Sequence, residues 1–148
     1  MTFSDVELRD LEADWNRHPG LRHMGATLDL SEPGVVRTVI ADVRPHHRGG
    51  MGTDAVSGPV MAGLFDLAIG LLGYLASGGK RAGVAELHVK FLRPVHGARI
   101  EVAARPVRVG RNLVFADADL RDEGGTLCAR ADGIVAIVGE RSGEPPAF

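Results

Sequence analysis

The run from Ser57 to Ser77, SGPVMAGLFDLAIGLLGYLAS, is the longest apolar stretch in the chain, and one carboxylate, Asp66, stands at its middle. Ser is a preferred helix N-cap, Pro costs no hydrogen bond at the first helical position, and Gly commonly ends a helix. Ser57, Pro59 and the Gly78-Gly79 pair therefore bound a helix over Pro59 to Ala76. Its apolar residues run all the way round, from Val60 and Met61 through Phe65 and Ile69 to Leu75. A helix of that kind lies inside protein or inside lipid. Lipid is disfavoured, because Asp66 would sit near the bilayer centre at about 2.5–3.5 kcal/mol and half-polar segments surround the run. What remains is a central helix wrapped by a sheet, with Gly63 and Gly70 on one face letting neighbouring backbone close in.

The rest of the chain supplies that sheet. Ser4 to Arg17 reads as a short amphipathic helix, with Ser4 and Glu7 at capping-box spacing and Val6, Leu8, Leu11 and Trp15 on its apolar side. His18-Pro19-Gly20 ends it. Ala26, Leu28 and Leu30 alternate with polar residues, Glu32-Pro33-Gly34 turns, and Val35 to Val43 makes a second, β-branched strand. Arg44 to Val56, RPHHRGGMGTDAV, is glycine-rich and aperiodic, a loop that feeds the central helix. Four strands follow, over Val84–Leu92, Arg99–Val109, Leu113–Arg121 and Leu127–Val138, read as a meander. The first places Ala85, Leu87, Val89 and Phe91 on one face, and Pro106 marks a bulge or an edge in the second. Short links favour antiparallel pairing, and six strands with one buried helix make an α+β architecture. At 148 residues the chain is expected to be one domain, with residues 1–22 a helical extension and 139–148 a flexible tail.

Net charge is −2, which lends no support to a nucleic-acid partner. The single Cys128 excludes an internal disulfide, and the opening residues carry no signal-peptide pattern, so the expected location is cytoplasmic. No His, Cys or acidic cluster has metal-ligand spacing.

The chemistry concentrates at the helix start. Backbone N–H groups there are unpaired and partly positive, suited to a developing oxyanion. Gly58 offers such a group without a side chain to obstruct a substrate, and Pro59 has none to offer. Asp66 lies eight residues on, roughly 12 Å along the axis at 1.5 Å per residue. The two cannot act on one atom from the same helix, so joint action requires a second subunit's helix running antiparallel beside the first. Two readings of Asp66 are open: a buried carboxylate satisfied by N–H donors or a cation, or a functional acid. Ser57 reads more readily as an N-cap than as a nucleophile, since no His–acid pair accompanies it. His46, His47 and Arg48 read first as a solvated loop, with pocket lining as the alternative. Arg111, in a Gly-Arg-Asn turn, is either an exposed turn residue or a phosphate contact.

Ser57-Gly58-Pro59 followed by Asp66 resembles the helix opening of hotdog-fold acyl-CoA thioesterases of the phenylacetate-pathway and 4-hydroxybenzoyl-CoA thioesterase type, many of which carry His-Gly-Gly with an acid eight residues after the first Gly. FLRPV, the VGR turn and the Glu-Gly-Gly turn resemble the family's strand block, and the likeness spans about Ala26 to Val138. The resemblance implies a hotdog fold, a six-stranded antiparallel sheet around one long helix, in a homodimer or a dimer of dimers. It implies hydrolysis of a small or medium acyl- or aryl-CoA, with no cofactor beyond the coenzyme A of the substrate and no membrane or nucleic-acid partner. Gly58 N–H would polarise the carbonyl and Asp66 would be nucleophile or general base, with Ser57 standing where His is common. His47, Arg48, Pro59, Phe65 and Arg111 are the expected substrate-binding residues, in an apolar acyl channel with a polar mouth near Arg48 and Arg111. The competing readings are a non-catalytic protein that binds acyl-CoA or a lipid-like ligand, and a dehydratase of the same fold.

Overall fold

The structure is a computed structural model that describes residues 2–49 and 52–139; of the tail expected over 139–148, residues 140–148 lie outside the described residues. Two short helices open the chain, α1 (Asp5–Asn16) and α2 (Pro19–Met24), followed by β1 (Thr27–Asp29) and β2 (Val36–Ile40). A 3-10 turn (Pro45–His47) leads to the long helix α3 (Gly58–Ala76), and then come β3 (Ala82–Phe91), β4 (Ile100–Val109), β5 (Leu113–Asp122) and β6 (Leu127–Ile137). The expected capping box forms on α1, where Glu7 N–H reaches Ser4 Oγ and Glu7 Oε2 accepts from Ser4 N–H. His18-Pro19 does end α1, but it also starts α2. Pro19 sits in the first turn of that helix, and His18 Nδ1 caps it by accepting from Gly20 N–H at 3.1 Å.

All six strands join one antiparallel sheet in the order β1-β2-β4-β5-β6-β3. β4, β5 and β6 form the expected meander. β3 does not belong to it: it pairs with β6 at the far edge, and residues 92–99 cross the end of the sheet to start β4 beside β2. The crossing is pinned by Val56 N–H to Val95 O at 2.9 Å and Val43 N–H to Ala98 O at 2.7 Å. The loop, the crossing and the start of α3 thus meet at one end of the molecule. The alternation of β5 is as expected, with Val114, Ala116, Ala118 and Leu120 buried. In β3 a bulge at Ala85 interrupts it, so Val84, Leu87 and Val89 turn inward while Ala85 is exposed. A second bulge follows Pro106, as the sequence suggests.

α3 is long and apolar enough to cross a membrane, at mean hydropathy 1.7. Here it lies across the concave face of the sheet, with Leu64, Phe65, Ala68, Ile69, Leu71 and Leu72 buried in the core. Thr38 of β2, itself buried, donates its hydroxyl to the Leu64 carbonyl at 3.0 Å and ties helix to sheet. The tightest approach to α3 falls on Gly73, against the side chain of Val135, rather than on the expected pair. A Cβ at Gly73 would stand 2.7 Å from Cβ of Val135, whereas one at Gly63 would meet only the flexible tip of Met24 and one at Gly70 would make ordinary contact with Val84.

The two edges of the sheet differ. β1 is short, and α1 seals it: Asn16 Nδ2 donates to Leu28 O at 3.0 Å, Asn16 Oδ1 accepts from Leu28 N–H at 2.6 Å, and Glu12 accepts from Leu30 N–H at 2.7 Å. The Asn16 amide stands in for a neighbouring strand. β3 is ten residues long, none of them buried, and no described residue pairs with its outer edge.

Gly73→Ala should lower stability by about 1–3 kcal/mol despite the better helix propensity of Ala, because the methyl must displace Val135 of a central strand. Urea unfolding measures it, and an unchanged midpoint would refute the contact.

Candidate functional site

The helix start is held from the loop. Ser57 N–H donates to His47 O at 2.8 Å, and Ser57 O accepts from Met61 N–H at 3.2 Å, so Ser57 occupies the N-cap position. Its side chain makes no capping bond, contrary to the N-cap role expected for the hydroxyl. The hydroxyl therefore stands uncommitted beside Gly58, whose N–H has no backbone acceptor among the described residues. A Cβ at Gly58 would meet Cζ of Phe91 at 3.6 Å. Phe91 is 55 % exposed, at the end of β3, and walls the approach to the Gly58 N–H. The sequence pattern assigns Phe91 to the buried face; only the crossing that follows it, and its packing beside α3, give it this place.

α3 leaves one stripe uncovered. Pro59 and Asp66 are exposed and Gly63 and Gly70 half-exposed, at the spacing of one helix face. Phe91 at Gly58 and Val84 at Gly70 place β3 along this stripe, antiparallel to the helix. Among the described residues Asp66 has neither hydrogen bond nor ion pair, so the reading of a satisfied structural carboxylate finds no partner within the chain. Burial by its surroundings pushes the Asp66 carboxyl above its usual range.

The other expected contacts are dispersed. Phe65 is fully buried and turned into the sheet, where it is a core residue rather than a wall of an open pocket. His47 is 2 % exposed, which corrects the reading of a solvated loop. Its Nδ1 accepts from Arg44 N–H at 2.9 Å and its Nε2 donates to Met24 O at 2.7 Å, so both nitrogens are engaged. Arg48 is likewise committed, donating to Asp54 O at 3.0 Å and to Gly97 O at 2.5 Å, and it clamps the loop to the crossing. Arg111 is exposed in the β4–β5 turn, at the end of the sheet where Gly73 meets Val135. That is about 24 Å along α3 from Ser57 at 1.5 Å per residue. Arg48 and Arg111 therefore do not frame one mouth within a single chain. An apolar cleft of about 450 Å³, lined by Phe3, Leu8, Leu72, Leu75 and Val109, also opens at that far end, away from Gly58. Among the described residues no group of His, Cys, Asp or Glu is arranged to hold a metal.

Residues 54–129 match a family profile described as the thioesterase superfamily. Solved structures with the same fold include a thioesterase from Haemophilus influenzae (21 % identity, covering 94 % of this chain and 93 % of that one, TM-score 0.73). They also include the PaaI protein from the phenylacetic acid degradation operon of E. coli (15 % identity, 90 % and 94 % covered, TM-score 0.76). A thioesterase variant from Pseudomonas aeruginosa is a third (18 % identity, 91 % and 96 % covered, TM-score 0.77). A search of curated proteins finds no match.

A carboxyl whose pKa is raised on folding contributes stability that is complete below the unfolded value, about 3.9, and is lost as pH rises through the folded value. Asp66→Asn removes that loss. The variant should melt no lower than the parent at neutral pH, and the difference between them should vanish below about pH 4. Thermal melts across pH check this, and a lower melting temperature at neutral pH would restore the structural reading of Asp66.

Proposed function

The chain belongs to the thioesterase superfamily, and from that premise we propose that it hydrolyses a small or medium acyl- or aryl-CoA. The observation that carries the proposal is Asp66: a carboxylate with its pKa raised by partial burial, on the open stripe of a helix, where among the described residues neither it nor the first N–H of that helix has a partner. In this reading the thioester carbonyl oxygen lies at Gly58 N–H, where the helix dipole and the Ser57 hydroxyl both favour developing negative charge. Asp66 takes a proton from water as the water oxygen attacks the carbonyl carbon and passes that proton to the departing sulfur; or Asp66 attacks the carbon itself, thiolate departs to leave an acyl-aspartyl anhydride, and water hydrolyses the anhydride, its proton going to the thiolate. Collapse of the tetrahedral species breaks the C–S bond. Coenzyme A leaves as the thiol, and the acyl group leaves as its carboxylic acid.

The two groups come from different chains. A two-fold axis normal to the sheet at the open β3 edge would continue the sheet into a second copy. It would keep both α3 helices on one side and run them antiparallel. Asp66 of one copy would then approach Gly58 of the other, and the exposed Phe91 and the uncovered stripe would be enclosed. Sealing of β1 by Asn16 and the bare edge of β3 both support pairing at β3.

Three measurements test this reading. Turnover across a panel of acyl-CoAs separates a hydrolase from a binding protein, and absence of turnover on every member would overturn the enzymatic proposal. On a good substrate Asp66→Asn should lower kcat about 10²–10⁴-fold while substrate still binds, and unchanged kcat would remove Asp66 from the mechanism. Light scattering at micromolar concentration should give at least a dimer mass; a monomer mass would defeat the shared site.

A further inference from the structure

α2 closes on Gly25 in the left-handed region, φ 65°, where a Cβ would stand 3.2 Å from Cε1 of His47. Glycine there lets the His47 ring slide under the helix end and donate to Met24 O. The ring becomes the floor of a cleft of about 300 Å³. Arg22 and His23 of α2 form one wall, and Asp42, Arg44 and His46 form the other. Arg44 pairs with Asp42 at 2.7 Å, which neutralises the one carboxylate in the lining. Arg22 and His23 have no side-chain hydrogen bond or ion pair among the described residues. The His46 ring packs on His47, centroids 3.9 Å apart. The cleft thus gathers an uncompensated guanidinium and two imidazoles in a chain of net charge −2. A forked donor beside single N–H donors around a small polar concavity is the donor set of a phosphate site.

We infer that this cleft takes the 3′-phosphorylated adenosine end of the coenzyme A thioester. The charge of the ligand follows from the lining; its identity as coenzyme A rests on the function proposed above. The placement fits that ligand, because the residue that floors the cleft also holds the helix start: the His47 carbonyl accepts from Ser57 N–H at 2.8 Å. A thioester at Gly58 and a phosphate beside Arg22 would be the two ends of one extended molecule passing over His47. Arg48 is committed to backbone carbonyls, and Arg111 lies at the far end of α3 of its own chain, so within one chain neither of them reaches this cleft.

The test uses the full chain with adenosine 3′,5′-bisphosphate, inorganic phosphate and adenosine as separate probes. Binding is read by calorimetry and by the ring resonances of His23 and His46. The bisphosphate should bind and move both rings, adenosine should not, and Arg22→Ala should weaken the bisphosphate about tenfold or more, with Arg22→Lys recovering part of the loss. With an acyl-CoA, Arg22→Ala should act on KM rather than kcat. Wild-type protein given the dephospho-CoA thioester should show the same rise in KM, and the variant should add nothing further to it. Equal affinity of Arg22→Ala for the bisphosphate, or unmoved rings, would overturn the site. Inorganic phosphate binding as tightly as the bisphosphate would reduce it to a general anion site and overturn the nucleotide assignment. If the bisphosphate binds as described and no acyl-CoA is turned over, the cleft stands and the hydrolase reading falls.

Discussion

Close packing of α3 against β6 decides which face of the helix is left over. Gly73 lies against Val135, and Gly133 of the same strand leaves room for Ile69, whose Cγ2 would be 3.1 Å from a Cβ there. Two glycines, one on each partner, let helix and strand interlock, and that sets the rotation of α3 about its axis. With Ile69 and Leu72 turned down, the stripe through Pro59, Gly63, Asp66 and Gly70 must face away from the sheet centre. Thr38 on Leu64 O fixes the turn of helix just before Asp66. The position of the acid is therefore a by-product of core packing several residues away, and any side chain at residue 73 that lifts the helix would move it.

The treatment of the sheet edges follows a second rule. Unpaired strand edges invite association, and chains normally blunt them. Here one edge is blunted by a single well-placed amide. Asn16 satisfies both the N–H and the C=O of Leu28 and makes α1 a lid on β1. Among the described residues nothing comparable is built on β3, although its outward face carries Glu86, His88 and Lys90, with His88 2.8 Å from Glu86 and 3.6 Å from Asp132. Charge on that face keeps the strand soluble without blocking its main-chain groups.

Much of this was legible in the sequence, and what was not has identifiable causes. The limits of α3, the alternation of β5 and the capping box of α1 are local patterns, and each appears as read. The link between β3 and β4 misleads because residues 92–99 look like an ordinary turn while spanning the end of the sheet. Proximity in sequence favours neighbouring strands, but β2 already occupies the side of β4 that a meander would give to β3. His18-Pro19 reads as a stop in the sequence and is also a start, since the residue that follows one helix can cap the next. His47 sits in a polar, glycine-rich segment, and its composition gives no hint that the ring docks beneath Gly25, because the partner is the carbonyl of a residue 23 positions earlier. Within the site, Gly58 and Asp66 stand out by residue type alone. Phe91 and Arg22 do not, because an apolar strand residue and a surface arginine acquire meaning only from what lies beside them.

The pitch of the α-helix links these features. One helix places its N-terminal donors and a mid-helix acid about 12 Å apart, eight residues at 1.5 Å each, and no side-chain rotamer of Asp closes that gap. A monomer using both groups would need a second acid from its own sheet or loop beside Gly58, but what adjoins Gly58 is the ring of Phe91, and the exposed Asp54 of the loop is held to His96 at 3.3 Å. A monomer that did not need Asp66 would gain stability by neutralising or pairing it, yet its carboxyl, raised in pKa by partial burial, has no partner among the described residues. On the proposed reading the same two-fold operation removes both difficulties. It turns the bare β3 edge into an interior pair, and it carries a second Asp66 toward the donors that the first cannot reach.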